Sequence, residues 1–352
     1  MPNWLASMQQ TFEYYIVDPG TWKDIRRIDN VKSCTITRDS DTDTLGSATI
    51  DIHGTLGECY VRIYLITIQN GVKEKFPLGT FLVQSPSASF DGKTQTVTMD
   101  CYTPLLELKE NPPPIGYYVA KQENVMDTAY NLTSSYLRAP VVKNAAATRL
   151  FDNFVAETED TWLSFIKDLL SYAKYRFDID EMGRILFAPD QDTASLQPIW
   201  TYDDGNSSIL YPELTIKQDL FDIPNVVEVL YSDGNSNYHV VVTNDDPNSP
   251  TSTVNRGRTI TYRETNPSVI GNPTEGQIEV YAKQLLRSMS TLECTLSYTH
   301  AYCPVRVGDC VRLNYSKAGL QNVKAKVISQ NIKCEPGCPV SEKATFTTRL
   351  WG

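Results

Sequence analysis

The sequence predicts a mainly β fold with α+β insertions, on three observations. Short segments alternate apolar and polar residues through the first and last thirds of the chain. Twenty Tyr, with frequent Thr and Val, favour strands. A single complete apolar stripe at helical spacing stands in the middle third. The expected arrangement is an all-β segment on each side of a helix plus β-hairpin middle.

The first part, 1–110, reads as consecutive strands. Candidates lie at 12–17, 31–38 and 47–53. The segment 59–69 is apolar on both faces, as expected of a strand buried between layers or inside a barrel wall. Residues 76–90 carry Pro77, Gly79 and Pro86 and so must bend or break. Asp91-Gly92-Lys93 is a hairpin turn, and 94–102 alternates cleanly after it. Short antiparallel strands at this spacing suggest a closed or partly closed barrel.

Asn111-Pro112-Pro113-Pro114 cannot be helical and marks a boundary. The middle part, 111–199, holds a helix at 124–137 and a stronger one after it. Thr158 and Asp160 are candidate N-caps of that second helix. Trp162, Phe165, Ile166, Leu169, Leu170 and Ala173 form its stripe, and its end is expected near Lys174. A hairpin follows: strands at 175–180 and 184–188, with Gly183 supplying the positive φ of the turn between them.

The last part, 200–352, returns to strands, at 226–231, 238–242, 291–298, 310–314, 323–333 and 343–350. Residues 243–257 are polar and read as an exposed loop. An inserted helix near 273–290 is expected, with Asn272 as N-cap and Pro273 at the first helical position.

Composition limits the function. The net charge is −10 and the pI about 4.9. Nucleic-acid affinity rests on Lys and Arg neutralising phosphates, so a phosphate-binding surface is disfavoured. An acidic channel wall that merely lets DNA pass is compatible with this charge. The start of the chain lacks the pattern of a signal peptide, and no stretch of about 18 apolar residues exists. The expectation is synthesis in a cytoplasm, with no membrane insertion, where the eight cysteines remain thiols.

No catalytic set emerges. His53, His239 and His300 lie apart in strand contexts, with no His-Glu-x-x-His pair, Gly-x-Ser-x-Gly elbow or phosphate-binding loop. Clustered acids such as Asp178, Asp180 and Glu181 suit turns and solubility better than a paired-carboxylate hydrolase. The Asp-x-Asp spacings at 41/43 and 178/180 do not extend into a calcium loop. The sharpest chemical possibility is Cys303, Cys310, Cys334 and Cys338, four thiols near His300 that are candidates for zinc or an iron–sulfur cluster. The alternatives are small buried residues on strands, or a disulfide between Cys334 and Cys338 across the Pro336-Gly337 turn. No cofactor is expected.

The order of parts resembles a known family. Leu78-Gly79-Thr80-Phe81-Leu82-Val83, then Phe90-Asp91-Gly92-Lys93-Thr94-Gln95-Thr96-Val97-Thr98-Met99-Asp100, is similar to the first barrel of phage tail-hub proteins. Thr161-Trp162-Leu163-Ser164-Phe165-Ile166-Lys167-Asp168-Leu169-Leu170, with Tyr175-Arg176-Phe177-Asp178-Ile179-Asp180 and Ile185-Leu186-Phe187, is similar to the helix–hairpin element between that family's barrels. Val307-Gly308-Asp309-Cys310-Val311-Arg312-Leu313 resembles the second barrel. The resemblance implies two small related β-barrels separated by a helix plus β-hairpin domain, in a non-enzymatic structural hub of the virion tail assembled in the host bacterial cytoplasm. It implies a homotrimer whose barrels form a ring around the DNA channel, joining the sixfold tail tube to a threefold tip. Partners would be the tail tube or distal tail protein and a tip, spike or fibre protein, with DNA only as transient cargo. The alternatives are a tail-associated cell-wall hydrolase or peptidase, which the end of the chain at Gly352 disfavours, and the hub of a contractile injection device. The cysteine cluster has no place in the family pattern.

Overall fold

In a computed structural model, residues 2–232, 236–267 and 273–351 are described. Strand outweighs helix, 47% to 14%, so the mainly β expectation holds. Backbone contacts group the chain into two units, one of residues 1–214 with 297–344, the other of residues 215–296 with 345–352.

In the first unit, hydrogen-bonded neighbours run through the strands Val31–Asp39, Gly46–His53, Gln95–Tyr102, Val72–Phe90, Tyr60–Gln69, Gln9–Val17 and Asp24–Ile28. Tyr60 through Thr67 are all buried, which is what an apolar strand on both faces requires. Leu320–Lys333, a strand of the last part, joins the same sheet by pairing antiparallel with Val31–Asp39, with Lys333 opposite Thr35. The two β parts thus share one continuous ladder. Cys310–Tyr315 pairs antiparallel with Leu320–Lys333 and parallel with Pro198–Asp203.

The proline-bearing segment bends without breaking. Val72–Phe90 is one strand with two register shifts, which leave Leu78 and Gln84 without opposite residues. A bulge is the way a strand accommodates Pro77, whose missing N–H cannot join the ladder. The turn at Asp91 forms as expected, its carboxylate accepting from the N–H groups of Lys93 and Thr94 at 2.8 Å each.

The helices Val125–Tyr136 and Trp162–Tyr172 share a core with the hairpin Tyr175–Ile179 and Ile185–Pro189. Asn124 caps the first, its side chain accepting from the Asp127 N–H at 3.0 Å. The second is capped by Thr161, not Thr158 or Asp160, because Ser164 at the third position completes a reciprocal capping box. Asp160 instead accepts from the Ser164 hydroxyl. The helix ends at Tyr172, and Lys174 at φ 58° turns the chain into the hairpin. Trp162, Phe165, Ile166, Leu169 and Leu170 bury against Phe177, Ile185 and Phe187.

In the second unit, Val226–Ser232 pairs antiparallel with Asn237–Thr243 and parallel with Thr261–Thr265. Ile278, Ala282 and Leu286 of the helix Glu275–Met289 pack on Val227, Val229, Val240 and Val242. That helix is capped by Thr274 with Gln277 at its third position. The expected cap Asn272 lies outside the described residues, as do Asp233, Gly234 and Asn235 between the strands expected at 226–231 and 238–242. The polar stretch 243–257 is exposed over much of its length, as expected, but it is ordered around a buried polar set. Asn244, Ser249, Thr251 and Ser252 are buried, and Ser252 caps a short helix Thr253–Arg256. Side chains such as Asn244, bonded to Ser249 at 2.9 Å, replace water at the buried positions, which polarity alone does not reveal.

Among the described residues no helix is long and apolar enough to cross a membrane. If the stripe is the core of the middle part, Leu169→Ala should cost about 2–5 kcal/mol. Urea unfolding of the variant against the parent measures it.

Candidate functional site: the hairpin tip and a buried polar network

The tip of the hairpin, Asp180 to Gly183, lies among side chains from both β parts, all within the first unit. Trp22 Nε1 donates to the Met182 carbonyl at 2.7 Å. Arg62, only 1% exposed, is the larger anchor. It donates to Asp24 at 2.7 Å, to the Thr80 hydroxyl at 2.9 Å and to the Met182 carbonyl at 3.1 Å. A buried guanidinium is tolerated only where its donors are met, and one of these acceptors is the turn itself.

Glu181 is shared by two arginines. Arg38 Nη2 approaches its carboxylate at 3.5 Å and Arg306 Nε at 3.0 Å. Arg38 also donates at 2.6 Å to the carbonyl of Leu78, the residue that the bulge leaves unpaired across the strand. Arg306, from the last β part, further donates to the Ile179 carbonyl at 2.5 Å and approaches Asp178 at 3.5 Å. Burial works against the charge of Arg306, but Glu181, Asp178, Asp309 and Asp180 outweigh it and raise its pKa. The acids 178, 180 and 181 therefore have a structural use that composition did not reveal. Asp178 and Glu181 face Arg306, and Asp180 accepts from Arg184 within the turn at 2.6 Å. A cavity of about 50 Å³ beside this cluster has room for water.

Gly183 is needed for two reasons. Its φ is +75°, and a Cβ would stand 2.7 Å from Thr80 Cβ. Gly92 also has positive φ, but open space surrounds it.

A second constellation was missed at the sequence level. Tyr202, Tyr298, His300, Cys303, Gln330 and Glu342 form a buried network. His300 Nε2 lies 3.1 Å from the Tyr202 hydroxyl and 3.3 Å from Glu342, while Nδ1 lies 2.8 Å from the Ala301 carbonyl. Gln330 donates to Glu342 at 2.7 Å. Burial alone would lower the His300 pKa. Hydrogen bonds with Cys303 and Glu342, and the charge of Glu342, outweigh it and push the pKa up to about 10. The period-two signal was present: Leu296, Tyr298 and His300 alternate inward on Thr291–Ala301, and Val340, Glu342 and Ala344 on Pro339–Arg349. Cysteine, histidine and carboxylate meet here, yet His300, Cys303 and Glu342 are each 1% exposed or less, so the set is sealed from any substrate.

The other sequence candidates do not converge. His53 is exposed, and His239 pairs at the surface with Glu228 at 2.8 Å. Cys303 joins the network above, Cys310 is buried with its thiol on the Val311 carbonyl, and Cys334 and Cys338 flank a turn beside Cys34. Among the described residues no three His, Cys, Asp or Glu side chains are grouped to hold a metal ion. All eight cysteines are free thiols.

No protein-family model and no curated protein matches the sequence. Solved structures do match by fold. The chain is similar to the tail protein from Neisseria meningitidis MC58, at TM-score 0.62 and 13% identity over 97% of this chain and 98% of that one. It is similar to the 43 kDa tail protein of prophage MuSo2 from Shewanella oneidensis, at TM-score 0.59 and 12% identity over 95% and 98%. It also matches the Francisella PdpA–VgrG complex, at TM-score 0.56 and 8% identity over 97% of this chain and 53% of that one. The chain has the fold of phage tail proteins, in agreement with the resemblance carried by the helix–hairpin residues.

Two outcomes follow. Gly183→Ala should destabilise by about 1–3 kcal/mol, clearly more than Gly92→Ala, in urea unfolding. For His300, the folded pKa lies above its unfolded value near 6.5. The stabilisation is complete below that value and is lost as pH rises toward about 10. Unfolding free energy should fall over this window by a few kcal/mol, at about 1.4 kcal/mol per pKa unit, and His300→Gln should remove that slope.

Proposed function

We propose that this chain is a structural hub of a phage tail tip or baseplate. Its three copies would form a ring that joins the sixfold tail tube to a threefold tip or spike around the DNA channel. The observation that carries the reading is one fold shared over nearly the whole length of both this chain and a prophage tail protein. The proposal keeps the division into 1–110, 111–199 and 200–352. The outer parts would each contribute a barrel, and two barrels in each of three chains would present a sixfold set to the tube. The hairpin tip supports this, because it fixes strands of both β parts against one turn. The acidic charge suits a channel that passes DNA without holding it.

The same architecture serves a contractile injection device, and the likeness to the PdpA–VgrG complex favours it as the second setting. The two settings share the ring and differ in the machine it joins. The tube or distal tail protein on one side and a tip, spike or fibre protein on the other remain the proposed partners. The proposed location is the virion tail, after assembly in the bacterial cytoplasm.

Light-scattering mass of the purified chain, alone and mixed with its cognate tube protein, tests the proposal. Three copies per particle is the expected result. A monomer in both samples would overturn it.

A further inference from the structure

The register of two strands places a cysteine from near each end of the chain side by side. Lys333 lies opposite Thr35 and Ile332 opposite Ile36, so the next pair in the antiparallel ladder is Cys334 and Cys34. The Cys334 N–H donates to the Cys34 carbonyl at 2.9 Å. Opposed residues joined by such bonds have Cα atoms about 5.5 Å apart, inside the roughly 4.4–6.8 Å that a disulfide spans, and Cβ atoms about 4.5–5.5 Å apart, so closure draws the end of one strand slightly toward the other. The two thiols and the Tyr14 hydroxyl are close enough to influence one another electrostatically. Neither thiol belongs to the hairpin tip or to the His300 network.

We propose that Cys34 and Cys334 form a thiol–disulfide site that is reduced during folding and closes in an oxidising medium. The oxidant is a small-molecule disulfide such as oxidised glutathione. Cys334 is half-buried and Cys34 only 4% exposed, so Cys334 reacts first. Its thiolate attacks the small disulfide, forms a mixed disulfide and releases one thiolate leaving group. The Cys34 thiolate then attacks the Cys334 sulfur, forms the protein disulfide and expels the second. Two protons leave the cysteines, and two electrons reduce the small disulfide to two thiols. The Cys34 contact, followed by burial, holds the Cys334 pKa well above the usual thiol range, so the reaction is slow at neutral pH and quickens as pH rises.

The consequence is mechanical. The bond would link a strand of the first β part to the end of a strand of the last, across the interface where the ladder already joins them. Cross-links that close long loops constrain the unfolded chain most. A particle assembled in a reducing cytoplasm and released outside would gain this brace after assembly. The inference rests on strand register and stands whether or not the chain is a tail hub.

Cys338 is the competitor. It lies in the adjacent turn, its N–H bonded to the Glu335 carbonyl at 2.8 Å, and its thiol is fully buried near Cys334. The test is incubation of the full folded chain with oxidised glutathione at mildly alkaline pH. Thiols are then counted after unfolding, and linked peptides are mapped by mass. The expected result is loss of two of the eight thiols and a Cys34–Cys334 peptide. Cys338→Ser should keep that link, whereas Cys34→Ser should retain glutathione on Cys334. If Cys34→Ser does not fold, Cys334→Ser serves instead and should leave Cys34 unlinked. A Cys334–Cys338 peptide overturns the proposal. So does retention of all eight thiols when a surface-cysteine control protein oxidises fully.

Discussion

The burial of Arg62 is the constraint on which the middle of this molecule depends. A guanidinium at 1% exposure needs acceptors for its donors, and the protein supplies Asp24, Thr80 and the carbonyls of Trp22 and Met182. The last of these belongs to the hairpin turn, so the turn has to be present for the first β part to bury its arginine. Glu181 makes the dependence reciprocal, since it stands between Arg38 of the first β part and Arg306 of the last. Each of these outer pairs is partly exposed and by itself weak. Together with Arg62, the Trp22 donor and the close fit of Gly183 on Thr80, they set one turn against two β segments. The function proposed for the chain is geometric, and a fixed relation between β parts is what such a function needs.

Much of this was legible before the structure. The stripe from Trp162, the hairpin after it and the positive φ of Gly183 follow from spacing and turn chemistry alone. The cap of that helix lies three residues after Thr158 and one after Asp160, because Thr161 and Ser164 bond each other and a one-letter preference cannot rank three nearby cap formers. The bulge at Leu78 was visible only as a demand that the strand bend. What it does, freeing a carbonyl for Arg38, depends on a strand forty residues away.

The candidate site was less legible. Acids 178 to 181 look like solubility residues until Arg306, far along the chain, is brought to them. Glu342 and His300 follow the inward period of their strands, but an ionisable residue on an apolar face carries no sign of its partner. The cysteines were grouped by nearness in sequence, whereas the ladder separates Cys303 from Cys310 and sets Cys334 beside Cys34. Long-range pairing is the information that local pattern lacks.

The central claim is that the hairpin tip fixes the two β parts together. Hydrogen exchange of Glu181→Ala against the parent, resolved by peptide, tests it most directly. Faster exchange is predicted on both sides of the turn, around Leu78–Thr80 and around Arg306–Asp309, and not in the hairpin alone. Unchanged protection in either flank would contradict the account.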